Sequence, residues 1–124
     1  MDPPQVDNEN MISGLSASVS GLWVFVRKLE NAARNIANSN TDRYKSKKAT
    51  TAEDETCSPT LNITVDETPG ASFQDADGVV RETSNVALSK EITDLSIAQR
   101  GYEANLKSIK SRDEMLDSLL DITV

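Results

Sequence analysis

Apolar residues recur through the last third of the chain in alternating steps of four and three. The series is Leu88, Ile92, Leu95, Gln99, Tyr102, Leu106, Ile109, Asp113, Leu116 and Leu120, and eight of these ten positions are apolar. A 3.5-residue repeat held this long predicts a helix whose stripe stays aimed at a partner helix. At 1.5 Å per residue such a helix runs roughly 50 Å. Gly101 is its one interruption, at about 1 kcal/mol relative to Ala. A second series, Ile12, Leu15, Val19, Leu22, Val26, Leu29, Ala33 and Ile36, is apolar at all eight positions. Gly14, Gly21 and the β-branched Val19, Val24 and Val26 weaken this helix in isolation, so it depends on packing. Trp23 and Phe25 flank the seam, where they either thicken an intramolecular core or meet neighbouring subunits.

Between the helices the pattern changes. Residues 1–10 are polar and read as a disordered tail, with Asn10 as a candidate N-cap. Residues 38–45, Asn38-Ser39-Asn40-Thr41-Asp42-Arg43-Tyr44-Lys45, end the first helix, because Asn and Ser divert backbone hydrogen bonds into turns. Residues 46–58 read as a polar loop. Leu61-Asn62-Ile63-Thr64-Val65 alternates as a strand does, and Thr68-Pro69-Gly70 stops it. Asp75-Ala76-Asp77-Gly78 is a turn, and Val79–Glu82 is a second possible strand. Those two strands are expected to pair as one hairpin-like unit, which alone would be marginal in water. Ser84-Asn85 is the expected N-cap of the C-terminal helix. The organisation expected is a tail at 1–10, an N-terminal helix at 11–40, an insert at 41–83 and a C-terminal helix at 84–124. The fold class expected is mainly α: two long terminal helices forming an antiparallel coiled-coil hairpin, with a short loop/β insert. The C-terminal helix is the longer by two to three turns, so part of its apolar stripe is left for self-association or a partner.

Composition narrows the chemistry. The chain has 124 residues, 37% hydrophobic, with only five aromatics among Phe, Trp and Tyr. That favours an elongated helical protein over one with a large compact core. The net charge of −7 argues against a nucleic-acid surface. The one locally basic stretch, residues 42–57, is offset by Glu53, Asp54 and Glu55. His is absent, which removes the usual general base and the commonest metal ligand. Cys57 is the only cysteine, so it has no disulfide mate within the chain and no base partner for thiol chemistry. Asp75-Ala76-Asp77-Gly78 has the look of a calcium loop, but counting from Asp75 puts Val86 where the twelfth-position carboxylate belongs. No catalytic, cofactor or metal residues are therefore assigned. No apolar run is long enough to span a membrane, and the N-terminus carries no secretory signal.

The expected assembly interface is the two seams with their anchors: Ile12, Leu15, Val19, Leu22, Trp23, Phe25, Val26, Leu29 and Ile36, then Leu88, Ile92, Leu95, Gln99, Tyr102, Leu106, Ile109, Leu116 and Leu120. Gln99 is expected to set helix register, as a buried amide does in coiled coils.

Two stretches also carry a resemblance. Asn35-Ile36-Ala37-Asn38-Ser39-Asn40-Thr41 followed by Tyr44-Lys45 resembles the NNIANxNTxGYK signature near the N-terminus of bacterial flagellar basal-body rod and hook proteins. Ala98-Gln99-Arg100-Gly101-Tyr102-Glu103-Ala104-Asn105 with Asp113-Glu114-Met115-Leu116 resembles their C-terminal signature, and Ser84-Asn85-Val86 matches the link before it. The motif residues are Asn35, Ala37, Asn38, Asn40, Thr41, Tyr44, Gln99, Arg100, Tyr102, Glu103 and Asn105. Arg43 stands where the family has Gly, and Arg34 where it has a first Asn. The short insert is similar to that of the proximal, FlgC-like rod proteins. The resemblance implies a structural axial subunit of the periplasmic rod, exported by the type III apparatus without a cleaved signal peptide. Its terminal helices would self-assemble with other axial proteins to carry torque from motor to hook. It implies no cofactor, no nucleic-acid partner and no membrane insertion. A soluble helical-hairpin adaptor, or an export-chaperone-like binding protein, is the alternative.

Overall fold

The structure, a computed structural model, describes residues 8–55 and 58–122, with α1 side chains from Ile12 onward. The element order is α1 (Asn8–Ala37), β1 (Lys47–Glu53), β2 (Pro59–Val65), β3 (Ser72–Gln74), β4 (Val80–Glu82) and α2 (Leu88–Ile122). The fold is mainly α, two long helices with a small β insert between them. Most of the expected tail and Cys57 lie outside the described residues.

α1 begins at Asn8, so Asn10 lies inside the helix and not at its cap. α2 begins at Leu88, and Ser84-Asn85 does not cap it. The Asn85 amide is instead committed to the insert. At 30 and 35 residues the helices differ by five, about one and a half turns, less than the sequence suggested.

The helices pack antiparallel. A Cβ added to Gly14, Gly21 or Gly101 would fall 2.6 Å from Arg112 Nη1, 2.4 Å from Asn105 Nδ2 and 2.3 Å from the Phe25 ring, respectively. These pairs step down α1 as they step up α2, by seven and then four residues. The contact line therefore runs through Gly14, Gly21, Phe25 and Ala32 on one helix and Arg112, Asn105, Gly101 and Ala98 on the other. Ala32 and Ala98 are each only 2% exposed, so small residues bring the two backbones close.

The insert corrects the expected hairpin. The strand at Leu61–Val65 pairs not with Val79–Glu82 but with β1, antiparallel from Lys47↔Val65 to Glu53↔Pro59. β3 and β4 form a separate two-stranded ladder, Ser72↔Glu82 to Gln74↔Val80. β1 was hidden because Lys-Lys-Ala-Thr-Thr-Ala-Glu carries no large apolar residue, and Ala49 alone of the strand is partly covered. The β1–β2 hairpin lies back along α1, while the β3–β4 hairpin packs against neither helix.

Candidate assembly interface

Two constructions define the surface available for function. The first is the polar junction where the insert meets the helices. Asn35 is fully buried. Its Nδ2 donates to the Lys47 carbonyl at 2.8 Å, and its Oδ1 accepts from the Lys47 N–H at 3.0 Å and the Tyr44 hydroxyl at 3.1 Å. Asn31, one turn earlier, donates to the same carbonyl at 2.7 Å. The side chains of α1 thus satisfy the first backbone groups of β1, which its partner strand cannot reach. Asn85 plays the matching part from the α2 side. Its Oδ1 accepts from Ser46 N–H at 2.6 Å, and its Nδ2 donates to the carbonyls of Asp66 and Thr68, both at 2.8 Å. Among the described residues no buried side-chain nitrogen or oxygen lacks a partner.

Glu82 completes the junction, accepting from Lys45 Nζ at 2.6 Å and Gly70 N–H at 2.8 Å. Those bonds, the lysine's foremost, hold its carboxyl below the usual Glu range. Asp66 is likewise held well below the usual Asp range, chiefly by hydrogen bonds from the Thr68 hydroxyl and from Lys48. Arg43, in the turn ahead of these residues, adopts φ of 60°, the left-handed geometry that Gly favours.

The second construction is an exposed apolar face. Both sequence-derived seams are displaced from the observed contact line by about one residue, or roughly 100° of helix. The contact line holds Gly14, Gly21, Ala98, Gly101 and Asn105, whereas the apolar stripes sit at Leu15, Leu22, Gln99, Tyr102 and Leu106. In antiparallel helices, the same one-residue offset turns both stripes toward the same side. Ile12 is 69% exposed, Ile92 51% and Leu106 49%, where a closed two-helix seam would have buried them. Leu15, Val19, Leu88, Leu116 and Leu120 are exposed as well. Leu22, Val26, Leu29, Ile36, Leu95, Tyr102 and Ile109 are half-covered at the border between contact line and face. The β1–β2 hairpin covers the other side: Thr51 and Pro59 share a cleft with Gly21, Val24 and Lys28.

Individual expectations divide accordingly. Phe25 is not a flanking residue but enters the seam against Gly101. Trp23 stays 66% exposed, at the outer edge of the open face. Gln99 is off the contact line and exposed, with its Nε2 bonded to Glu103 Oε1 one turn ahead at 3.2 Å. The register amide in the seam is Asn105, under Gly21. Asn38 caps its own helix end by bonding the Arg34 carbonyl at 2.8 Å and receives Thr41 Oγ1 at 3.2 Å. Ala37, Asn40, Arg100 and Glu103 are exposed. The motif residues therefore split between the junction (Asn35, Tyr44), the α1 terminus (Asn38, Thr41), the seam (Asn105) and the surface. Sequence reasoning missed Asn31, Glu82 and the glycines. The signal for Asn31 was its spacing, one turn before Asn35 on the same helix face.

At the open end, away from the junction, the face deepens into a groove of about 1010 Å³ between the start of α1 and the end of α2. Ile12, Leu15, Leu106, Ile109, Leu116 and Leu119 line it. Among the described residues no group of three or more potential metal ligands converges, and no helix is long and apolar enough to cross a membrane.

Comparison with known proteins meets this geometry at α2. Residues 76–122 match the family described as Flagellar basal body rod FlgEFG protein C-terminal. The flagellar hook protein FlgE of Escherichia coli (strain K12) is 44% identical over 41 residues, 33% of this chain and 10% of that protein. The hook protein FlgE of Borreliella burgdorferi is 36% identical over 58 residues, 47% of this chain and 13% of that protein. The flagellar basal-body rod protein FlgG of Bacillus subtilis (strain 168) is 44% identical over 41 residues, 33% of this chain and 16% of that protein. The chain thus spans a small fraction of the length of the curated relatives it matches.

Proposed function

We propose that this chain, a member of the flagellar basal-body rod and hook protein family through its C-terminal segment, is a non-enzymatic axial subunit that assembles through the open face of its helix pair. The observation that carries this reading is the face itself. Large apolar residues from both helices lie exposed side by side, on a fold whose other side is covered by its own hairpin. Contiguous apolar surface of this extent on a charged chain marks an interaction site. Its occupants would be copies of the chain and other axial proteins of the rod, and the stack would carry torque from motor to hook. The short insert fits the proximal, FlgC-like position in the periplasmic rod, reached through the type III export route.

The test is sedimentation velocity with circular dichroism across a concentration series, on the wild-type chain and on Val19→Asp/Ile92→Asp. Both positions are exposed, so the variant should keep its helix content and lose lateral association by at least tenfold. Unchanged association in the variant would remove the face from the interface. A wild-type chain that is fully helical and monomeric at every concentration would transfer the reading to a helical-hairpin adaptor.

A further inference from the structure

The two ends of the molecule are unlike, and each exposes what the other could cover. At the junction end the β3–β4 hairpin projects without packing on either helix or on the first hairpin. Its apolar side chains are left in water: Phe73 is 43% exposed, Val79 55% and Val80 64%. A two-stranded ladder of three residues per strand is marginal by itself, so burying these side chains would also stabilise the hairpin. The turn is firmly shaped, with Asp75 N–H bonded to the Val79 carbonyl at 2.9 Å, Gly78 N–H to the Asp75 carbonyl at 2.9 Å, and Gly78 at φ of 79°. Asp75 is committed to Arg81 at 3.0 Å. Asp77 at the tip has no cation within ion-pair distance among the described residues.

At the opposite end lies the apolar groove, with Lys110, Arg112 and Asp113 on its walls. Arg112 has no carboxylate within ion-pair distance among the described residues. An acidic, apolar projection and an apolar groove of net positive lining are complementary in polarity and sign. They stand at opposite ends of helices roughly 50 Å long, so no chain can fill its own groove.

Building on the assembly reading above, we infer that the β3–β4 hairpin of one copy seats in the open-end groove of the next, with Val79 and Val80 inserted and Asp77 facing Arg112. This contact joins two different surfaces, so it is heterologous and extends into a linear chain instead of closing as a dimer. It is an axial contact made at the open end of the face, and the lateral contact falls to the rest of that face, where Val19 and Ile92 lie.

The experiment uses the full chain carrying Val19→Asp/Ile92→Asp, which silences the lateral face. In that background a knob variant adds Val79→Asp/Val80→Asp, and a groove variant adds Leu116→Asp/Leu119→Asp. All four added positions are exposed, and circular dichroism verifies retained helix. Native mass spectrometry and sedimentation velocity should show concentration-dependent linear oligomers for the parent and monomers for each variant alone. An equimolar mixture should give a one-to-one heterodimer and nothing larger, because each variant keeps one working end. A parent that stays monomeric, a knob variant that still polymerises, or a mixture that fails to pair would each overturn the axial contact. None of these results bears on the lateral face, which stands or falls on the effect of Val19→Asp/Ile92→Asp in the wild-type chain. As a second readout, Asp77→Arg and Arg112→Asp should each weaken oligomerisation at least tenfold, and their combination should restore it. Failure of the double variant to recover would remove the Asp77–Arg112 pairing.

Discussion

Arg43 occupies a backbone region that costs a residue with a side chain about 1–2 kcal/mol. Its N–H bonds the Glu82 carbonyl at 3.0 Å, which ties the turn between α1 and β1 to β4 and holds that conformation. The motif that this stretch resembles has Gly at this position, and Arg43 adopts under strain the left-handed geometry that Gly favours. Arg43→Gly removes the strain and adds unfolded-state entropy worth about 0.5–1 kcal/mol. The expected net is a gain of about half a kcal/mol, seen as a higher urea midpoint at unchanged slope. A lower midpoint would mean that the Arg43 side chain contributes more than its backbone costs. Asn35 presents the opposite case. Its amide makes three hydrogen bonds in a fully buried position. Asn35→Ala strands the Lys47 N–H and the Tyr44 hydroxyl, each buried unpaired donor costing about 1–3 kcal/mol. The loss expected in chemical denaturation is about 2 kcal/mol, a large share of a small domain's stability. An effect under about 0.5 kcal/mol would show that water replaces the amide. Asn35 was visible in the sequence as a motif residue near a helical seam. That it ties the helix to the first strand was not, because nothing in the residues 46–58 marked a strand for it to hold.

The helices were legible and their faces were not, for one physical reason. A hydrophobic repeat locates the largest apolar side chains, which the repeat alone places in the seam between α1 and α2. The real seam is built from residues that such a pattern discounts: Gly14, Gly21, Ala32, Ala98 and Gly101. Small residues permit close approach, and the large ones are displaced to the adjoining face. Glycine substitutions separate these roles. In a helix interior Ala is favoured over Gly by about 1 kcal/mol. At Gly14 the new methyl meets the end of a long, flexible Arg112 side chain, which can swing away. Gly14→Ala should therefore be neutral or stabilising by up to about 1 kcal/mol. At Gly101 the methyl would lie 2.3 Å from the Phe25 ring, itself wedged in the seam. Overpacking costs about 1–3 kcal/mol, so Gly101→Ala should destabilise despite its better helix propensity. Thermal melts of the two variants give the comparison. A stabilised Gly101→Ala would show that the helices are not in this register. The β insert divides in the same way: alternation marks β2, whereas β1 is a strand by virtue of its partner and its anchors, not its composition.

For the whole molecule, acidity and apolar surface oppose each other. A net charge of −7 makes like copies repel, and the sequence pI is about 4.5. Lowering the pH from 7 toward 5 reduces this repulsion without touching the apolar face, so association should strengthen if the fold survives. The junction carboxylates decide that. Asp66 and Glu82 have folded pKa values below their unfolded ones. The stability they add is therefore fully present above the unfolded values, about 3.9 and 4.3, and is lost only as pH falls below those and through the folded values. Between pH 7 and 5 the junction stays intact while the repulsion fades. Sedimentation at pH 7, 6 and 5 should show oligomers growing with unchanged helix content, and added salt at pH 7 should act in the same direction by screening. Carboxyl-carbon NMR should place the Glu82 titration below the usual Glu range, with Gly70 N–H shifting in step. Association that weakens with salt would mean that charge pairs between copies, and not the apolar face, hold the assembly together. Association that grows only as helix content falls would mean that the oligomers are made by an unfolding chain.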